Sequence, residues 1–297
     1  MVERLHGMEE ARGSIPLSST REIARRTSSR VSEVATIDGL IDLVSYPLDA
    51  PGSNEWAALV ARCRDDLAAD GMYELPGFLT PEALRASTAT ILPRMANESV
   101  EIRREHNIYF LDTVAGLADD HPALRKMLTI NHTLCGDQLV DTPLADVYEW
   151  PHFREFIAAT MGLPELHLMD DELARVNVLS YRPGEALNWH FDRSEFTVTI
   201  LLQRAAVGGI FEYRRDLRSD DDPNYAAVGR VIAGGDPAVR RVDVAQGALN
   251  VFRGRNTAHR VTTVAGDTER LVAVFSFYDR PGVRFSDSER LGFYRRA

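Results

Sequence analysis

The spacing of hydrophobic and polar positions changes part-way along the chain. Early on, Trp56, Leu59, Val60, Cys63 and Leu67 form an apolar stripe at helical spacing. Ser53 or Asn54 stands ready to cap that helix and Asp70-Gly71 ends it. Met72–Leu79 reads as a short strand. Thr80-Pro81-Glu82 then opens a second helix, with a capping hydroxyl, a proline at its first position and an acid in its first turn. Residues 120–162 read as mostly helical, with Leu124, Met127, Leu128, Leu134, Leu139, Leu144, Val147 and Phe156 suited to packing on a sheet. From Ala174 the period becomes 2. The runs 175–181, 195–203, 208–213, 240–244, 248–253, 259–264 and 271–278 are short, rich in β-formers and separated by Gly, Asp and Asn. No βαβ alternation joins them. The expected fold is therefore α+β with a mainly β core: a double-stranded β-helix (a jelly roll, cupin-like) with N-terminal helices packed on its major sheet.

Residues 1–35 are rich in Arg, Glu and Ser/Thr and poor in large apolar groups, so they are expected to form a flexible arm. Residues 36–297 are expected to be one domain, helical over 54–170 and β over 174–280. The polar, Asp-rich segment Arg214–Gly235 is expected as a loop near the mouth of the barrel. Composition adds exclusions. At 297 residues, 44% hydrophobic and 26% charged, the chain can bury a large core. A net charge of −10, from 34 basic against 44 acidic residues, argues against nucleic acid or an anionic membrane as the main partner. No apolar run approaches the roughly 20 residues of a membrane span, and none resembles a signal-peptide core. Cys63 and Cys135 are in no metal-type spacing and both fall in segments read as helical, where buried reduced thiols are expected. A cytoplasmic setting follows. A homodimer is admitted but not required.

The candidate chemistry centres on Asn188–Ser194. His190 and Asp192, two residues apart on an extended strand, point to the same side. His259, at the start of a later run, is the candidate third ligand. Two imidazoles and one carboxylate with other positions open suit a non-haem Fe(II) centre, although Zn(II) accepts the same ligands. Arg270, eleven residues after His259 and across one turn, tips the choice. Its fork of donors matches the far carboxylate of a bidentate 2-oxo acid. Asn177 and Tyr181 share a strand face and can hydrogen-bond the same co-substrate. Ser276 shares the face of Arg270 by period 2. His106 and Asn107, in a charged and aromatic cluster, are candidates for lining the pocket. Trp189 reads as packing, and His132, His152 and His167 as structural.

The order His190-x-Asp192…His259…Arg270 resembles the motif of the Fe(II)/2-oxoglutarate-dependent dioxygenases. The strings NWHFDRSEFTVTILLQ, GGIFEYRRDLRS, FRGRNTAHRVT and ERLGFYRR resemble a narrower branch that contains hydroxylases and halogenases of free amino acids. The likeness extends more weakly upstream through REHNIYF. It implies Fe(II), 2-oxoglutarate and O2 as cofactor and co-substrates, and hydroxylation of a small amino acid or similar metabolite with release of succinate and CO2. Halogenases of the branch carry a small residue, usually Gly, where this chain has Asp192, so halogenation is disfavoured. The branch also implies a substrate pocket lined by a C-terminal aromatic pair, here Phe293 and Tyr294. Arg193, next to the metal motif, suits an acidic or carboxylate-bearing group. The rival readings are a hydroxylase of peptide or protein side chains and a non-catalytic cupin-like module that binds a metal or metabolite.

Overall fold

The computed structural model describes residues 37–297; the arm expected over 1–35 lies outside them. The short helix α1 (Ile37–Leu40) is followed by α2 (Asn54–Asp70), β1 (Met72–Leu75) and α3 (Pro81–Glu98). Their boundaries follow from local chemistry. Ser53 Oγ accepts from Trp56 N–H at 3.1 Å, and Thr80 Oγ1 accepts from Ala83 N–H at 3.1 Å. Gly71, at φ +78°, closes α2 in the left-handed conformation that a side chain would oppose. Next come β2 (Val100–His106), β3 (Met127–Leu134), α4 (Pro143–Glu149), α5 (Pro151–Met161) and β4 (His167–Leu168). The second half holds β5 (Val176–Tyr181), β6 (Leu187–His190), β7 (Thr197–Gln203), β8 (Phe211–Arg214), α6 (Tyr225–Ile232), β9 (Arg240–Val242), β10 (Leu249–Phe252), β11 (Ala258–Val261), β12 (Arg270–Phe275), β13 (Phe277–Tyr278) and α7 (Asp287–Tyr294).

The strands form a seven-stranded sheet, in the order β1-β10-β7-β12-β5-β3-β2, and a four-stranded sheet, β6-β11-β8-β9, with β13 and β4 as a separate pair. Every pairing is antiparallel. Alternation along the strands divides the core in two. Val176, Val178, Val198, Ile200, Leu249, Val251, Leu271, Ala273 and Phe275 join α2–α5 in the larger cluster. The other face of the same strands, with Tyr181, Leu201, Ala248, Phe252 and Val272, meets Phe211 and Tyr213 of the smaller sheet. Two sheets packed face to face, with helices on the back of the larger one, are the expected jelly roll. Among the described residues no helix is long and apolar enough to cross a membrane.

Three elements differ from the sequence reading. Residues 127–134 are a strand between β2 and β5, where a helix is expected. Leu124, Met127 and Leu128 imitate helical spacing, but Thr129, Ile130 and Thr133 are β-branched and favour the pleated surface. Cys135 consequently follows a strand and precedes a single 3-10 turn; it is buried and free, as is Cys63. Burial pushes the two thiols up, to about 11 and about 12 respectively, which leaves them protonated and unreactive. The segment after Arg214 contains α6, capped by the Asn224 side chain and packed with Trp189, Phe191 and Ala258 on the outer face of the smaller sheet. Finally, α7 was not foreseen. Fully buried Asp171 anchors it, accepting from Leu173 N–H, from Phe285 N–H at 3.1 Å and from Arg290 Nε at 2.8 Å. Asp171→Ala strands these donors, so unfolding in urea should show a loss of about 2–4 kcal/mol, with α7 becoming sensitive to protease first.

Candidate metal centre

β6 and β11 pair so that His190 and His259 stand directly opposite one another. Their ring centroids are 4.1 Å apart. Asp192 lies just past the end of β6, and its main-chain N–H donates to Gly254 O at 3.1 Å, tying that end to the turn before β11. One carboxylate oxygen faces each ring: Oδ1 is 3.4 Å from His190 Nε2 and Oδ2 is 3.4 Å from His259 Nε2. All three potential ligand atoms lie within 4.8 Å of one another. Two ligand atoms about 2.1 Å from one ion and at right angles to each other lie about 3 Å apart, so the spacing fits a shared cation.

The main chain sets the tautomers. His190 Nδ1 lies 2.9 Å from Asn188 O, and His259 Nδ1 lies 3.0 Å from Thr257 O. A carbonyl can only accept, so each Nδ1 carries a proton, and Nε2 is the nitrogen that each ring turns toward Asp192. The Thr197 hydroxyl donates to Asp192 Oδ2 at 2.5 Å. Behind the carboxylate, a Cβ on Gly254 would overlap Asp192 Oδ2 and lie 2.8 Å from Thr197 Oγ1. Thr197 and Gly254 thus hold the carboxylate in place, and nothing in the sequence pattern marked either. Phe252 meets the His259 ring edge-on at 4.8 Å, which gives the site an apolar wall.

The groups perturb one another strongly. Burial alone would raise Asp192, but the charges and hydrogen bonds of His259 and His190 outweigh it and hold the carboxyl well below its usual range. Burial, reinforced by His259, pushes His190 down. Burial also disfavours charge on His259, yet adjacent Asp192 overrides it and the net shift is upward.

Deeper in the barrel interior, Arg270 stands opposite Tyr181 in the β12–β5 register. Its Nε donates to Gly209 O at 3.0 Å. Gly209, at φ +64°, leaves room for the side chain, because a Cβ there would come within 3.1 Å of Arg270 Cδ. Arg270 Nη1, the Tyr181 hydroxyl and Asn250 Oδ1 are buried with no hydrogen-bond partner among the described residues. Burial, partly offset by Tyr181, pushes Arg270 down to about 10, still protonated at neutral pH. Buried polar atoms without partners are costly, so a guanidinium and a phenol left open in the interior fit an anionic occupant, while Asn250 Oδ1 can only accept. Asn250 was not singled out in the sequence.

The remaining expected site residues divide. Asn177 is on the interior face, but its amide donates to Leu173 O at 2.7 Å and accepts from Tyr294 Oη at 3.0 Å. Both ends of its amide are thus engaged by the chain itself, and it holds α7. Ser276 lies past the end of β12, six residues and about 20 Å along the strand from Arg270. The register carries it to the level of Thr197, at the metal end. Arg193 Nη1 bonds Glu289 Oε1 of α7 at 2.6 Å and its guanidinium lies 5.3 Å from the Phe293 ring centroid, so its charge is met within the chain. Phe293 and Tyr294 pack with Phe285, Cys135 and Met169. Both ring nitrogens of buried His106 are engaged, with Asn107 O and Thr129 Oγ1. Asn107 Oδ1 accepts from Tyr109 N–H and Leu111 N–H, shaping the loop in which Phe110 adopts φ +56°.

Residues 56–284 match the family model described as Halogenase D. The chain belongs to the halogenase D family. Its fold is shared by AviO1 from Streptomyces viridochromogenes Tue57, at 19% identity and TM-score 0.52 over 75% of this chain and 96% of that one. It is shared also by the non-haem α-ketoglutarate-dependent carbocyclase SnoK from nogalamycin biosynthesis, at 17% identity and TM-score 0.51 over 77% and 90%. A third is the epimerase SnoN in complex with Fe3+, α-ketoglutarate and nogalamycin RO, at 18% identity and TM-score 0.51 over 75% and 84%. No curated protein matches the chain. The likeness places this halogenase D family member among the 2-oxoglutarate–iron oxygenase folds.

The raised His259 has a measurable consequence. A proton on Nε2 must leave before that nitrogen can bind a metal, so affinity is full above the raised value and is lost as pH falls through it. Divalent-metal titrations from roughly pH 8 down to pH 6 should show the loss beginning above the ordinary imidazole value near 6.5.

Proposed function

We propose that this protein is a non-haem Fe(II)/2-oxoglutarate-dependent oxygenase that hydroxylates an unactivated C–H bond of a small amino acid or amino-acid-like metabolite. The observation that carries this reading is the His190–Asp192–His259 cluster, with Nε2 of both rings facing one carboxylate. These three residues hold the iron, and Arg270 Nη1 and the Tyr181 hydroxyl, without partners among the described residues, receive the far carboxylate of 2-oxoglutarate. When bound, iron with 2-oxoglutarate and O2 supplies the oxidising power, with release of succinate and CO2. The chain's own contribution is orientation and exclusion of water. Thr197 and Gly254 steady Asp192, main-chain carbonyls set the two imidazoles, and Phe252 walls off His259.

Asp192 sets the type of oxidation. A carboxylate there fills an iron position that the halogenases of the branch leave open for chloride, so oxygen insertion is favoured within this family. The substrate class rests on the likeness to that branch, and α7 supports a small molecule over a peptide. Its Tyr294 reaches Asn177, which is level with Thr199 and two residues from the level of Thr197, and its Glu289 holds the residue after Asp192. The chain's own helix thus packs against that end of the barrel, which favours a small molecule over an extended peptide.

Anaerobic addition of Fe(II) and 2-oxoglutarate should produce the weak visible charge-transfer band of the chelate. His259→Ala should abolish the band. Arg270→Ala should retain Fe(II) and need about 100-fold more 2-oxoglutarate, the loss of about 3 kcal/mol for a charged hydrogen-bonded contact. In a screen of free amino acids, the substrate should stimulate succinate release and give a product heavier by one oxygen. A chlorinated product made with chloride present would refute the role given to Asp192.

A further inference from the structure

Trp189 and Phe191 anchor β6 on one side, but the ligand-bearing side of this four-residue strand is tied to a different sheet. Thr129 of β3, in the larger sheet, accepts from Asn188 N–H at 3.0 Å. Asn188 Nδ2 also donates to Leu128 O at 2.5 Å, and Ile130 N–H donates to Ala186 O at 3.3 Å. Thr129 Oγ1 lies 2.8 Å from His106 Nε2, and His106 Nδ1 lies 3.0 Å from Asn107 O.

Donor and acceptor capacity orders this chain in one direction. Asn107 O can only accept, so His106 Nδ1 carries a proton and the neutral ring's Nε2 accepts. The Thr129 hydroxyl accepts from the Asn188 N–H and donates its single proton to His106 Nε2. The Asn188 carbonyl in turn accepts from His190 Nδ1 at 2.9 Å. His106 is 5% exposed and stacked on Phe110 at 4.4 Å, so its ring is held and can serve as a fixed end. No step in the sequence is free to reverse without leaving a buried group unpaired.

We propose that His106 is a positioning residue of the metal centre: acting through the Thr129 hydroxyl and the Asn188 main chain, it fixes the orientation and tautomer of His190. This rests on the assignment of His190 as a metal ligand. The distance from His106 to the reacting atoms is spanned by three hydrogen bonds, so it acts without touching substrate. Residues that orient a ligating imidazole typically contribute tenfold to a hundredfold to metal affinity.

Co(II) is the probe, because its visible d–d bands report ligand geometry independently of turnover. The full chain freed of metal should bind one Co(II) per molecule, and His190→Ala should abolish binding. Thr129→Ser keeps the hydroxyl and should match the wild type in midpoint and spectrum. Thr129→Val removes it and should weaken Co(II) binding about tenfold or more, with shifted bands. His106→Phe keeps the stack on Phe110, removes the acceptor and should behave like Thr129→Val; it carries the test if the valine variant does not fold. Equal midpoints and spectra for the Ser and Val variants, or for His106→Phe and wild type, would overturn the proposal while leaving the metal centre intact. Failure of the wild type to bind Co(II) would overturn both, and is recognised by the absence of any difference from His190→Ala.

Discussion

His190 and His259 face one another because β6 and β11 pair antiparallel with these two residues as partners, and the rest of the centre depends on that pairing. Side chains alternate across a sheet, so a slip of one residue would turn one imidazole out of the barrel. β6 is only four residues long and cannot set the register alone. Trp189 and Phe191 sink into the apolar cluster under α6, while Asn188 is pinned to β3. The Asp192 N–H bond to Gly254 O fixes the end of the same segment. Hydrophobic burial on one face and hydrogen bonds on the other therefore meet at the strand that carries the ligands.

The barrel interior is also an electrostatic arrangement. One carboxylate lies between two imidazoles, and one buried guanidinium has a single main-chain acceptor. Burying charges is costly unless they are matched, and Asp192 is matched internally by the two histidines. Arg270 is not, since Nη1 and the nearby Tyr181 hydroxyl have no partner among the described residues. The imbalance points inward, to an anion arriving with the metal. On the proposed reading, Asp192 has two functions: neutralising the ion and occupying the place chloride would need.

The sequence carried more of the β half than of the helical half. Period-2 alternation located the strands of the barrel, because each has one face on the helices and one on the interior. β3 escaped because its leucines mimic a helical stripe and it lies between two strands. The C-terminal helix escaped because its hold on the barrel is polar and non-local: Asp171 to Arg290, Asn177 to Tyr294, Glu289 to Arg193. Thr197, Gly254 and Asn250 carry no local signal that separates them from any threonine, turn glycine or buried amide.

The residue types and spacing alone pointed to two histidines and an aspartate as a possible ligand set and to a jelly-roll scaffold. Those conclusions rest on local chemistry and on a period that every strand repeats. Tertiary structure decided which polar side chains stay open to a ligand and which are consumed by one another. Asn177 and Arg193 were taken up by α7, His106 by Thr129, while Tyr181 and Asn250 were left free. Alternation tells which face a side chain takes. Only closure of the sheets and docking of the last helix determine which residue stands across from it.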